Sequence, residues 1–287
     1  MKVRLDKNVI DNVMDLENLI KYLSIEEPNL ATQRKIAKQI IEKLDSKTIV
    51  YYLKVLSQSE NWACRSLSCY ILPSCYQIIK NRKEVEKILF KLANDKDWRV
   101  RESSAWSFYK LLLGNFEVMY PLFINWGKHG NANIRRALII AVMKMAKHRR
   151  EEYAEPLLNF IEQFLTDQDK YVQKALIFAI GDGFLRYYPS HAYMYLNSWV
   201  KNKEPRVHWI IAMSLCMAEA RKHIEECLKI LKELSFDSTR RVQNAVIKSL
   251  LNFAQNDPEK VLKELQTWKT NQYQKYIVNE VKSKLRG

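Results

Sequence analysis

Asp97-Trp98-Arg99-Val100-Arg101-Glu102-Ser103-Ser104-Ala105-Trp106 reads as the start of a helix, and its pattern returns along the chain. Asn133-Ile134-Arg135-Arg136-Ala137-Leu138, Tyr171-Val172-Gln173-Lys174-Ala175-Leu176, Arg206-Val207-His208-Trp209-Ile210-Ile211 and Arg241-Val242-Gln243-Asn244-Ala245-Val246 repeat it. Trp62-Ala63-Cys64-Arg65-Ser66-Leu67 is a weaker copy. Aligned on Ala63, Val100, Ile134, Val172, Val207 and Val242, the copies stand 37, 34, 38, 35 and 35 residues apart. A near-constant interval of this length marks stacked helix pairs, each burying an apolar face against its neighbours.

Three residues after the apolar anchor stand Ser66, Ser103, Ala137, Ala175, Ile210 and Ala245, and five of these six are small, as close helix approach requires. Two residues after it stand Arg65, Glu102, Arg136, Lys174, Trp209 and Asn244. Equivalent positions of a repeat array line up as a ridge, because every repeat touches its neighbours in the same way. The expected ridge carries Arg65, Arg136 and Lys174 around one acid, Glu102, with Trp98 four residues earlier on the same helix face.

The 287 residues include only 6 Gly and 7 Pro, which leaves little turn material for a sheet, so the expected fold is all-α, an α-solenoid. Residues 1–28 are expected as an N-terminal helical cap and 29–287 as a single repeat domain. Residues 1–60 hold 10 Lys and Arg against 9 Asp and Glu, whereas residues 61–287 hold 37 against 23, so +14 of the formal +15 belongs to the array. Such an excess favours a polyanionic partner, nucleic acid before an anionic membrane surface, with a scattered basic surface as the plain alternative. The five cysteines (Cys64, Cys69, Cys75, Cys216, Cys227) show neither a disulfide framework nor zinc spacing and read as reduced core thiols of a cytoplasmic protein. Met1-Lys2-Val3-Arg4-Leu5-Asp6 is charged where a signal peptide is apolar, and the longest apolar run, Ala137 to Met143, is far short of a membrane span.

Helices are expected from Leu30 to Leu44, then in pairs to the end, with Pro73 kinking or interrupting the one that begins at Trp62, and with a final segment from Pro258. Ala179-Ile180-Gly181-Asp182-Gly183-Phe184 places two glycines inside a helix that should continue, at a cost of about 1 kcal/mol each relative to Ala. Close approach of a neighbouring helix is the favoured reason, approach of a ligand backbone the other. Asp182 between them is a possible second acid, with a local structural role favoured. His208 is expected to line the groove; His129, His148, His191 and His223 show no ligand spacing and read as surface residues.

A tryptophan followed four residues later by a carboxylate, at the start of a helix in a basic array, resembles the HEAT-like-repeat DNA alkylation-repair glycosylases of the AlkC/AlkD superfamily. Trp98 and Glu102 fit that spacing. Val172-Gln173-Lys174-Ala175-Leu176-Ile177-Phe178 is similar to a later repeat of the family that carries an aromatic near Phe178, and Arg136 looks like its phosphate-contacting arginine. The resemblance spans roughly residues 60–255. It departs from the AlkD branch in having Glu for Asp at Glu102 and Phe for Trp at Phe178; Trp-Arg-Val-Arg-Glu is closer to the AlkC branch. The resemblance implies six to seven HEAT-like repeats forming a curved, basic concave groove, mainly over 60–255. It implies monofunctional base excision with no metal, no cofactor and no lyase lysine, and, in the AlkD branch, no full flipping of the base. The implied partner is double-stranded DNA carrying alkylated bases, bound by a monomer associated with the nucleoid and not with a membrane.

The chemistry suits these residues. Alkylation at purine N3 or N7 puts a positive charge on the base and makes it a good leaving group. A carboxylate then stabilises the oxocarbenium-like sugar and orients a water, which is the role expected of Glu102. Aromatic rings attract a cationic base or sugar edge by about 0.5–2 kcal/mol each, the role of Trp98 and Phe178 and, one turn beyond Glu102, of Trp106. Arg65, Arg136, Lys174, Arg135 and Arg101 are the candidates for DNA phosphates. Two other readings stand beside this one: a non-catalytic array that binds damaged or branched DNA by shape, and a protein scaffold. In both, Glu102 is a salt-bridge residue and Trp98 a core residue.

Overall fold

The computed structural model describes residues 15–268 and 270–286. The expected cap over residues 1–28 therefore lies partly outside the described residues. Within them it contains α1 (Leu16–Glu26), whose first turn is capped by the Asp15 carboxylate accepting from Asn18 N at 3.0 Å. The described residues are helical with no strand, and the fold is an α-solenoid.

Two compact units part between Ala141 and Val142. In the first, α2 (Leu30–Lys43) precedes α3 (Ser46–Gln58) and α4 (Trp62–Ile78), α5 (Arg82–Ala93) and α6 (Trp98–Gly114), then α7 (Phe116–Trp126) and most of α8 (Ala132–Ala146), whose residues from Val142 on belong to the second. In the second, α9 (Glu151–Glu162) precedes α10, which runs as α-helix over Lys170–Phe178, as a π-helical turn over Ala179–Phe184 and as α-helix again to Tyr187. Then follow α11 (Pro189–Trp199) and α12 (Pro205–Leu215), α13 (Ile224–Leu234) and α14 (Arg240–Ala254), α15 (Pro258–Leu265) and α16 (Gln272–Arg286). The second helix of each pair packs on its counterpart in the next: α4 on α6 in the first unit, α10 on α12, α12 on α14 and α14 on α16 in the second. No described helix is long and apolar enough to cross a membrane.

Small residues allow this packing. Ser66 of α4 and Ser103 of α6 share a hydroxyl hydrogen bond at 2.7 Å, and the Tyr70 hydroxyl reaches Ser103 Oγ at 3.0 Å. Val100, Phe108 and Leu112 of α6 are buried behind them. The helices start where a polar side chain meets the first free N–H groups. Asn61 accepts from Ala63 N at 2.7 Å, Asp97 from Arg99 N at 2.8 Å, Asn131 from Asn133 N at 2.8 Å and Asp169 from Tyr171 N at 2.8 Å. Glu204 and Thr239 hold the same place in α12 and α14. Measured from cap to cap, the intervals become 36, 34, 38, 35 and 35. The first repeat is therefore shifted by one: Cys64, not Ala63, is the counterpart of Val100.

Other local details also differ from expectation. Helix α4 runs through Pro73 without interruption. The helix expected from Arg206 to Ala220 ends, as α12, at Leu215, because Met217 turns to extended backbone (ψ 159°) before a 3-10 turn at Ala218–His223. That turn lays Met217 on Gly181, where an added Cβ would meet the Met217 side chain and lie 2.7 Å from the Ser214 carbonyl oxygen; at Gly183 it would lie 2.8 Å from Met143. Both glycines thus serve helix packing. The last segment divides into two helices around Trp268, which is fully buried and donates from Nε1 to Glu264 Oε1 at 3.0 Å. All five cysteines are free; burial pushes the Cys75 and Cys227 thiols up to about 12.

Candidate active site

Counted from the caps, the ridge five residues into each second helix holds Ser66, Glu102 and Arg136 in the first unit and Lys174, Trp209 and Asn244 in the second. Arg136 Nη2 donates to Glu102 Oε2 at 3.4 Å, with the Glu102 side chain 34% and the Arg136 side chain 28% exposed. Glu102 Oε1 accepts no hydrogen bond among the described residues. One turn before Glu102 stands Trp98, 64% exposed. One turn after it stands Trp106, half-buried, set edge-on to Tyr70 with ring centroids 4.9 Å apart and with Lys110 Nζ 5.6 Å from its centroid. The first unit thus brings Trp98, Glu102, Trp106 and Arg136 to one helix face and its neighbour. Trp98 is not a core residue.

Trp62 begins α4 as Trp98 begins α6, yet it is covered. The Arg99 guanidinium lies 3.5 Å from its ring centroid, and its Nε1 donates to Glu27 Oε1 at 3.0 Å. The residue in the next repeat that would cover Trp98 in the same way is Asn133. It is too short, and its amide instead donates to Asn94 Oδ1 at 2.8 Å.

Arg65 does not belong to the ridge. Its guanidinium donates from Nε and Nη2 to the two Asp95 oxygens at 2.6 and 2.8 Å, and from Nη1 to the Ser59 and Glu60 carbonyls at 2.9 and 2.7 Å. With 7% of the side chain exposed and four of its five N–H groups engaged, it is a buried clasp on the loop before its own helix, closed to a phosphate. Arg101 and Arg135 repeat that clasp: Arg101 Nη1 binds the Asp95 and Lys96 carbonyls at 2.6 and 3.0 Å, and Arg135 Nη1 binds those of His129 and Gly130 at 2.9 Å each. Gln173 and Gln243 do the same from their Nε2 atoms, toward Asp167 at 2.8 Å and toward Asp237 and Ser238 at 3.2 and 3.1 Å. His208 holds the corresponding place in α12 and is bound between Asp237 Oδ2 at 2.7 Å and the Val200 carbonyl at 3.2 Å, so it lines no groove. A signal was present in the sequence: the residue four after each cap is a strong side-chain donor in all six repeats.

In the second unit, Lys174 and Phe178 are both exposed on α10, one turn apart, with exposed Tyr171 one turn before Lys174. Trp209 lies under the Arg241 guanidinium, 3.7 Å from its ring centroid, and Arg241 Nη2 also donates to Gln173 Oε1 at 3.1 Å. Asp182 pairs with Arg186 at 3.7 Å, and Arg186 pairs more closely with Glu219 at 2.9 Å, so the local structural role expected of Asp182 fits this ion-pair set. Among the described residues, no group of three His, Cys, Asp or Glu side chains stands ready to hold a metal.

The chain is similar in fold to two solved structures from Streptococcus mutans. One is AlkD2, at 18% identity and a TM-score of 0.61, covering 70% of this chain and 97% of that one. The other is smu.31 of strain UA159, at 19% identity and a TM-score of 0.59, covering 71% and 97%. The karyopherin Kap121p, solved bound to the extreme C-terminus of the protein phosphatase Cdc14p, shares the fold at 12% identity and a TM-score of 0.50, over 93% of this chain and 33% of that one. No curated protein matches the sequence. Residues 21–182, more than half of the 287, match the family described as DNA alkylation repair enzyme, and the chain belongs to that family.

Proposed function

We propose that the protein is a monofunctional DNA glycosylase that excises cationic N3- or N7-alkylated purines from duplex DNA. The observation that carries this reading is the pairing of an open indole with an available carboxylate: Trp98 is 64% exposed, one turn before a Glu102 carboxylate held by a single 3.4 Å contact. A buried Trp98 and a bidentate Glu102–Arg136 pair would have argued for a structural role.

In the proposed reaction, the glycosidic bond breaks with its electron pair leaving on the alkylated base. Glu102 offers negative charge to the developing oxocarbenium-like sugar, and takes a proton from the water that adds to it. Trp98, with Trp106 one turn on, supplies aromatic surface to the cationic base or sugar edge. Arg136 binds a flanking phosphate and in doing so releases Glu102 from its ion pair. Lys174 and Phe178, exposed on α10, are proposed as a phosphate contact and a base or sugar contact. Arg65, Arg101 and Arg135 are not retained as phosphate ligands, because loop carbonyls engage them. The proposed working form is a monomer in the cytoplasm, at the nucleoid.

A second reading has one observation in its favour. The Glu102–Arg136 ion pair is what a non-catalytic array would keep if it bound damaged or branched DNA by shape alone. Release of free 3-methyladenine or 7-methylguanine from methylated duplex DNA separates the two. Wild type is expected to release base, and Glu102→Gln to do so roughly a hundredfold more slowly or worse, the scale of losing one electrostatic and general-base group. Binding without release by folded wild type would leave the second reading standing.

A further inference from the structure

Residues 183–287 lie beyond the family match and hold 18 Lys and Arg against 10 Asp and Glu, which is +8 of the chain's +15. Part of that charge borders a cleft of about 530 Å³ in the second unit, where Asn244, Lys248 and Gln255 of α14 face Lys284 of α16 over Ile247 and Leu251. Asn244, Lys248, Leu251 and Gln255 are spaced four, three and four apart, so they form one face of α14.

The other polar side chains of α14 are in use. Arg240 lies 3.7 Å from the Tyr276 ring centroid, Arg241 covers Trp209, Gln243 clasps its loop, and Asn252 Nδ2 donates to the Cys216 carbonyl at 2.7 Å. Asn244, Lys248 and Gln255, by contrast, are exposed, and their side chains make no hydrogen bond or ion pair among the described residues. Among the described residues Lys284 pairs only with Glu280, at 3.6 Å on the helix surface, a weak contact that a stronger anion displaces.

We propose that this cleft holds the sugar–phosphate backbone of duplex DNA, at a contact carried wholly by the second unit. Two ammonium groups neutralise phosphates and two carboxamides donate N–H to phosphate oxygens, while Ile247 and Leu251 give the sugar an apolar floor. Among the described residues no carboxylate and no aromatic ring lines the cleft, so these offer neither base stacking nor the anchors that a peptide partner would use. The inference rests on reading the chain as a DNA-binding protein, but not on base excision.

Binding of undamaged duplex DNA is measured across a salt series for wild type and for Lys248→Gln/Lys284→Gln. Each lost phosphate contact removes about 0.9 from the slope of log affinity against log salt, so the double variant is expected to fall by about two. Asn244→Asp, which changes almost no volume but puts a carboxylate in the cleft, is expected to weaken binding as well. Unchanged slope and affinity in both variants, with thermal midpoints matching wild type, would overturn the proposal. So would equally tight, equally lysine-dependent binding of polyglutamate, since the occupant would then be an acidic peptide. Base release at saturating protein keeps the two readings apart: a lower slope with no release by wild type defeats the glycosylase reading alone, and full release with an unchanged slope defeats this one alone.

Discussion

Trp62 and Trp98 occupy the same place in consecutive repeats, yet one is covered and the other is open. Each follows its helix cap directly, Asn61 in one case and Asp97 in the other. The difference lies in the next repeat, two residues after its cap, where Arg99 is long enough to stack on Trp62 and Asn133 is not long enough to reach Trp98. Here the arginine that lies over an indole comes from one repeat downstream. Trp209 of α12 follows the same rule in the second unit, covered by Arg241 of α14. Only Trp98 among these three has been left without its arginine, and it is the one beside Glu102.

The same contrast divides the arginines. Arg65 is a buried clasp and Arg136 a half-exposed ridge residue, and substituting each with Met should separate the two roles most strongly. Arg65→Met leaves the buried Asp95 carboxylate without its counter-charge, with the Asp97 N–H as its remaining donor, and is expected to cost about 3–5 kcal/mol in denaturant unfolding. Arg136→Met is expected to leave unfolding within about 0.5 kcal/mol and to lower the salt slope of DNA binding by about 0.9. A small unfolding effect for Arg65→Met would undo the clasp assignment. Next in size is Gly181→Ala, whose Cβ meets Met217 and the Ser214 carbonyl; overpacking of this kind is expected to cost about 1–3 kcal/mol. A neutral outcome would reopen the ligand explanation for that glycine.

Uncovering Trp62 should cost less than either Arg65→Met or Gly181→Ala. Arg99→Ala is expected to cost about 0.5–1 kcal/mol, the worth of an exposed cation–π contact, and to leave base release unchanged. It also changes the acid limb of unfolding. Hydrogen bonding to the Arg99 guanidinium holds the Asp97 carboxyl below its ordinary value of 3.8. A depressed carboxylate contributes stability above its unfolded value and loses it as pH falls through the folded one, so that loss below pH 3.8 should be smaller in Arg99→Ala. New base-release activity at Trp62 would mean that an open indole alone suffices, and that Glu102 is not needed.

Much of this fold was legible in the sequence, because a period near 35 residues and polar starts to the helices are properties of single residues at fixed intervals. The register of the first repeat was not, since Ala63 and Cys64 are both small and apolar enough to serve as the anchor; the caps Asn61 and Asp97 decide it. Counting from Ala63 puts Arg65 on the ridge, whereas its partner, Asp95, is 30 residues away in another loop. The break after Leu215 was hidden as well, because Met217 and Gly181 are 36 residues apart and each looks ordinary in its own helix. At the candidate site, the Trp98–Glu102 spacing was plain. The openness of Trp98 was not, because it depends on what Asn133 fails to do.

The most direct test of the account is therefore to close that opening from the next repeat. Asn133→Arg restores the residue type that covers Trp62 and Trp209, while leaving Trp98, Glu102 and Arg136 in place. Single-turnover release of 3-methyladenine from methylated duplex DNA is expected to fall roughly tenfold or more, the cost of losing an aromatic contact worth about 1–2 kcal/mol together with access to Glu102, while the thermal midpoint holds or rises. Wild-type release by a folded Asn133→Arg protein with Trp98 fluorescence quenched by the new arginine would contradict the claim that the open face of Trp98 is where the damaged base is handled.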